Sequence, residues 1–195
     1  ELATKFSRIN KIDIGFKNFH AISITVEEYS PHAVWCGESY GRESKADTGD
    51  CYFLDKNGYV FTEFPKFSGK VYLTYYGKLK SLTTKESIDV AGNAIGKNYL
   101  SPEKFRSVDL FVRNLMEFGI VPDRITYTDF SDFTMVMSTG GKILFNGDGN
   151  MENALQNIFS IINSGKLPIK NQAFISNVDY IDLRFPDKSF FKFKN

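Results

Sequence analysis

The sequence predicts an α+β fold: a mainly antiparallel sheet with two helices on one side. Three observations lead there. Aromatic residues make up 15% of the chain and alternate with Val, Ile and Thr, which suits a pleated surface. Two other segments carry apolar residues at helical spacing instead. Strands and helices are also mixed without regular strand–helix alternation, which argues against a doubly wound parallel sheet.

A possible helix end at Leu2 to Phe6 opens the chain. Ile12, Ile14 and Phe16 then share one strand face, and Ile22, Ile24 and Val26 alternate with Ser23, Thr25 and Glu27. With Asn18 as a turn signal, the two runs read as a hairpin with one wet face. Ser30-Pro31 stops the pairing, because proline has no N–H to donate. Residues 1–35 therefore read as the tail of a small α/β unit. Cys51 to Phe61 holds a second hairpin, and its Asp55-Lys56-Asn57-Gly58 turn is expected to be type I′, since Asn-Gly tolerates positive φ. Val71 to Tyr76 reads as a strand. Residues 77–100 are polar and glycine-rich without a clear period, and read as an irregular connection.

Ser101-Pro102-Glu103 is a helix start, with a hydroxyl cap, proline in the first turn and an early acid. Phe105, Val108, Phe111, Val112, Leu115, Met116 and Phe118 form its apolar stripe, ended by Gly119. Ile125 to Thr128 and Phe133 to Met137 read as strands, and Gly140-Gly141 turns the second into Lys142 to Phe145. A second helix runs from a cap near Asn150 through Leu155, Ile158, Phe159 and Ile162 to Ser164-Gly165. Strands near 173–184 and 188–194, joined at Phe185-Pro186-Asp187, close the chain.

Apolar residues make up 42% and charged residues 24%, an ordinary globular composition. At 195 residues the chain has room for one large domain or two small ones. The formal net charge of +1 gives no global field to attract nucleic acid or anionic lipid. No apolar run approaches the roughly 20 residues of a membrane span. The opening Glu1-Leu2-Ala3-Thr4 fits neither a signal peptide nor an initiator methionine, so the chain is expected to begin inside a longer protein.

Enzymatic motifs are scarce. No G-x-S-x-G elbow, H-E-x-x-H helix or G-x-x-x-x-G-K-[ST] loop occurs. Gly140-Gly141-Lys142 sits between strands rather than before a helix, so it reads as a hairpin turn. Asn146 to Asn150 resembles the start of a calcium loop but lacks the sixth-position glycine and the late acid, and reads as a turn into a helix. His20 and His32 have no nucleophile nearby and read as surface or structural residues. Glu27 and Glu28 point to opposite strand faces and read as solvated charges. No catalytic residue, cofactor, metal ion or small-molecule substrate is expected.

Cys36 and Cys51 allow two readings. They are two free, half-buried thiols, or they form a disulfide between two strand ends joined by the polar segment Gly37 to Asp50. Closing that loop of about 15 residues would stabilise the fold by roughly 3 kcal/mol and would imply an oxidising compartment.

Ile22-Ser23-Ile24-Thr25-Val26-Glu27-Glu28-Tyr29-Ser30-Pro31-His32-Ala33-Val34-Trp35 resembles the junction in FtsQ/DivIB cell-division proteins of bacteria where the POTRA domain passes into the β domain. Tyr52 to Phe61, with its Asp-x-x-Gly turn, is similar to the family's next hairpin. The helix at 102–118, the strands around Gly140-Gly141 and the second helix follow in family order. Tyr180-Ile181-Asp182-Leu183-Arg184-Phe185 resembles the family's most distinctive segment. The resemblance spans nearly the whole chain. It lacks the first POTRA strand and helix, and the family places these, a membrane helix and a cytoplasmic tail upstream of Glu1. The two cysteines are not a general family feature.

The resemblance implies that residues 1–32 end a POTRA domain and that 33–195 form the β domain. It implies a single-pass protein of the cytoplasmic membrane whose outer region, at the division septum, is a non-enzymatic scaffold of the divisome. The implied partners are FtsB/FtsL-type division proteins, in support of septum assembly. The alternatives are another POTRA-like module, in protein export or outer-membrane assembly, which would also bind strand edges, and an unrecognised enzyme.

In the last strand Ser189, Phe191 and Phe193 share one face, which reads as core, while Lys188, Phe190, Lys192 and Lys194 share the other. Lysines on an edge strand protect against unwanted pairing. The other reading is an edge that accepts a partner strand, with lysines favouring an acidic segment. The resemblance favours the second reading. The expected partner surface is then Tyr180, Phe185, Asp187, Lys188, Ser189, Phe190, Phe191, Lys192 and Phe193. Asp182 and Arg184 are same-face neighbours, and a surface pair between them would be worth under about 1 kcal/mol.

Overall fold

The computed structural model describes residues 6–37, 51–65, 69, 71–80, 87–88, 94–128, 131–163, 176–186 and 188–194. The possible helix end at Leu2 to Phe6 lies, except for Phe6, outside the described residues, as does most of the segment between the cysteines. In chain order the elements are β1 (Ile9–Asn18), β2 (Ala21–Glu28), β3 (Ala33–Trp35), β4 (Tyr52–Leu54), β5 (Val60–Glu63), β6 (Thr74–Tyr76), β7 (Leu79–Lys80) and β8 (Ser87–Ile88). Helix α1 (Pro102–Glu117), β9 (Pro122–Tyr127), β10 (Asp132–Met137), β11 (Lys142–Asn146), α2 (Met151–Asn163), β12 (Val178–Phe185) and β13 (Lys188–Phe193) complete the chain.

Nine strands form one sheet in the order β13-β12-β11-β10-β9-β6-β3-β4-β5. The α+β expectation holds, with one refinement. Antiparallel contacts predominate, but β3/β6, β6/β9 and β11/β12 are parallel. Parallel neighbours need a crossover, and each helix supplies one: α1 falls between β6 and β9, α2 between β11 and β12.

Strand alternation puts Tyr75, Ile125, Phe133, Met135, Ile143, Phe145 and Ile181 on the face that both helices cover. From α1, Phe105, Val108, Phe111, Val112 and Leu115 fill this core, and from α2, Ala154 and Ile158. Each such side chain contributes about 1.5–3 kcal/mol of burial. Phe118, expected in the stripe, lies past the end of α1 and is mostly exposed, with its ring 4.1 Å from that of Phe159. Ser101 does not cap through its hydroxyl; only its backbone carbonyl accepts, from Phe105 N–H. Asn150 does cap α2, accepting from Asn153 N–H at 3.0 Å.

On the opposite face a smaller cluster of Val34, Phe53 and Phe61 packs with Tyr29, Tyr59, Phe64 and Tyr72. Cys36 and Cys51 are disulfide-bonded beside it, at the end of the β3–β4 pair. The turn at Asp55–Gly58 differs from expectation. Gly58 has φ +77°, but Asn57 is not left-handed, so the turn is not type I′. Gly58 N–H donates to Asp55 O and Asp55 N–H to Tyr59 O, a type I turn closed by a glycine bulge. The Asp55 carboxylate drives it by accepting from the N–H groups of Asn57 and Tyr59.

The connection at 77–100 contains the short β7–β8 ribbon and delivers Leu79, Ala94, Tyr99 and Leu100 to the core. No periodicity marked them. The β1–β2 hairpin forms as expected, but its apolar face is not covered by the described residues. Ile12↔Val26, Ile14↔Ile24 and Phe16↔Ile22 make a ladder of cross-strand pairs, and Phe16 is 86% exposed.

Candidate docking edge

Strand β12 is held by the core and by its neighbour β11 as well as by β13. Val178, Ile181 and Leu183 are buried, and β12 runs parallel to β11 with Ile143 opposite Ile181. The close approach depends on Gly141, where a Cβ would collide with the Val178 carbonyl oxygen. β13 folds back antiparallel on β12, with Ile181↔Phe191 and Asp182↔Phe190. β13 is the last strand of the sheet.

Lys194 N–H donates to Asn177 O, so at that residue the backbone bonds inward, toward β12. Strand alternation then turns the backbone groups of Ser189 and Phe191 outward. The Lys194 ammonium donates to Thr139 O at 2.7 Å and Ser176 O at 2.9 Å, which fastens the end of β13 to the β10–β11 turn.

The expected partner residues divide by face. Phe190 and Lys192 share the wet face with Tyr180, which is half-buried and opposite Lys192. Phe191 lies on the helix side, as expected, yet it is not core. At 43% exposure it extends past what the helices cover, while Phe193 packs against the core. Phe185 and Phe190 are 48% and 49% exposed and meet edge to face at 5.6 Å. Lys188 is exposed and opposite Phe185, and Ser189 is half-buried. Asp187 lies outside the described residues. Lys192 sits 3.4 Å from Asp179 and Lys194 is used internally, so the accessible surface of this edge is aromatic more than cationic.

The Asp182–Arg184 pair is stronger than a lone surface contact. Arg184 grips Asp182 through both Nε and Nη2, at 2.9 and 2.6 Å, and reaches Asp132 on β10 at 3.0 Å. Asn146 on β11 donates to the same Asp132 at 2.8 Å. The network crosses β10, β11 and β12. The Arg184 guanidinium, chiefly through its hydrogen bond, holds the Asp182 carboxyl below its ordinary range, against the opposing effect of burial.

Sequence reasoning missed a second polar cluster. Asp109, buried within the apolar stripe of α1, accepts from Tyr75 Oη at 2.9 Å and Arg113 Nε at 2.7 Å, with His32 Nε2 at 2.7 Å. His32 Nε2 donates to the Asp109 carboxylate in the tautomer that carries its proton there, and Arg113 Nη2 lies 3.1 Å from the same nitrogen. Burial, and then the Asp109 charge, raises the Tyr75 phenol well above its ordinary value. The signal was present in the Asp109/Arg113 spacing of four residues. The third partner, His32, is 77 residues from Asp109.

Lys104 donates to Ser131 Oγ at 2.6 Å and to Asp148 at 2.7 Å, and Ser131 has φ +65°. These contacts tie α1 to the turns that carry Ser131 and Asp148. Among the described residues no group of three or more His, Cys, Asp or Glu side chains is placed to hold a metal ion. No described helix is long and apolar enough to cross a membrane. No protein-family model matches the chain, and no curated protein matches it.

Proposed function

We propose that this chain is the extracytoplasmic part of an FtsQ/DivIB-type division scaffold, which docks FtsB/FtsL-type partners by strand addition along β13. The observation that carries the proposal is the position of β13, which among the described residues is the last strand of a nine-stranded sheet; strand alternation directs the backbone groups of Ser189 and Phe191 outward. A docking strand would gain main-chain hydrogen bonds there, and Phe185, Phe190 and Phe191 would supply the side-chain contacts.

Two further features support the reading. The Cys36–Cys51 disulfide suits an oxidising compartment outside the cytoplasm. The uncovered ladder of the β1–β2 hairpin suits the end of a POTRA unit, whose remaining elements and single membrane helix the proposal places upstream of Glu1. The scaffold role needs no cofactor and no catalytic group. The test is a pull-down of FtsB/FtsL-type partners with a variant lacking Ser189 to Asn195. The variant is expected to stay folded and lose the partner; full retention would overturn the assignment of β13.

A further inference from the structure

The apex of the β1–β2 hairpin is a second surface. The base of the hairpin is fixed to the large sheet through Tyr29, whose ring stacks on Phe61 at 5.4 Å. At the other end the strands pair as far as Phe16↔Ile22 and Asn18↔Ala21, which leaves Phe19 and His20 as the turn. Phe19 is fully exposed, and Phe16 and Ile22 are mostly so. We propose that this apex inserts its apolar side chains into the headgroup region of an anionic phospholipid bilayer, with Lys17 meeting the lipid charge.

Folding does not explain the apex. A two-residue turn favours Asn, Asp or Gly, and Phe19 buries nothing there among the described residues. Single exposed apolar residues are ordinary, but three together at one projecting end mark an interaction surface. The charge pattern selects the occupant. From Ile14 to Ile24 there is no acid, and Lys17 is the one formal charge. The acids of the hairpin all lie on the base side of the Ile14↔Ile24 pair and are engaged: Asp13 with Lys11 at 2.8 Å, Glu28 with Arg8 at 3.3 Å and Glu27 with Asn10 at 3.4 Å. An apolar end flanked by a cation suits an anionic lipid surface, where aromatic rings sit at headgroup level and each lysine adds attraction. The turn is prepared for that setting, since the His20 N–H is already satisfied by Asn18 Oδ1 at 2.9 Å. Insertion stops at the side chains, because the outer backbone edges of a two-stranded hairpin cannot enter hydrocarbon. The ladder nearer the base, Ile12↔Val26 and Ile14↔Ile24, is left to the upstream elements proposed above.

The test is co-sedimentation of the whole chain with vesicles of phosphatidylcholine alone or mixed with phosphatidylserine. The parent is expected to bind the mixed vesicles about fivefold more tightly than the neutral ones, the worth of one lysine at a charged surface, because a net charge of +1 adds no long-range pull. Lys17→Gln should remove that difference. Phe16→Ser combined with Phe19→Ser should weaken binding to the mixed vesicles by at least about tenfold while leaving the protein folded, since both rings are exposed. Failure to sediment with the mixed vesicles, equal affinity for the two compositions, or undiminished binding in the double Phe variant would each overturn the proposal. A chain that ignores vesicles but forms dimers lost in the double variant would assign the apex to a second copy instead. Truncating β13 should leave vesicle binding unchanged, which separates this outcome from that of the docking edge.

Discussion

Proline at Phe191 separates docking from folding. Counted by strand alternation from Lys194, whose N–H bonds Asn177 O, the Phe191 N–H is directed away from β12, so the substitution should remove no ladder bond and cost little stability. In the complex β13 would become an interior strand, and the same N–H would serve the incoming chain. Its loss removes a net bond of about 1 kcal/mol and strands a partner carbonyl at about 1–3 kcal/mol. Together, about 2–4 kcal/mol corresponds to roughly 30- to 900-fold weaker binding. Proline at Lys192 is the converse control, because alternation directs that N–H toward β12; it should lower the melting temperature as well. The assay is calorimetric titration of the FtsB/FtsL-type outer segment into each variant, alongside thermal melts. A folded Phe191→Pro protein that binds as tightly as the parent would refute the outward assignment and the docking edge with it.

Three other outcomes are expected. Reducing the Cys36–Cys51 bond removes about 3 kcal/mol of loop-closure stabilisation, a drop in melting temperature of about 6–12 °C at this size; superimposable melts of oxidised and fully reduced protein would contradict it. Because Asp182 is depressed in the folded state, its contribution is present above the unfolded carboxyl value near 3.9 and is lost as pH falls through the folded one. Urea unfolding below about pH 4 should therefore show a slope that Asp182→Asn reduces, and identical slopes would rule this out. Asp109→Asn takes the anion from Arg113 and His32 in a buried setting and should cost about 2–4 kcal/mol; an unchanged urea midpoint would show the cluster to be dispensable.

Local signals carried much of this molecule. Alternation in Ile22–Val26 and Phe133–Met137 gave strands, the stripe from Phe105 to Leu115 gave α1, and Asn150 opened α2, because side-chain period and capping chemistry act within a few residues. Strand parity put Ser189, Phe191 and Phe193 on one face of β13, but of these only Phe193 packs against the core. Turn type was less secure: Asn57-Gly58 favoured a mirror-image turn, yet the Asp55 carboxylate, binding two N–H groups, imposed another. The residues Leu79, Tyr99 and Leu100 carry no period, and only the packed core shows that they are buried.

What the sequence by itself determined is which segments are strands or helices, which face of each is apolar, and that Cys36 and Cys51 could meet. Only the tertiary structure decided that β6 lies between β3 and β9, that Arg184 reaches Asp132 and that His32 reaches Asp109. It also placed β13 last in the strand order of the described residues. Period and capping are local, whereas the neighbour of a strand is selected by how all the apolar faces close one core together.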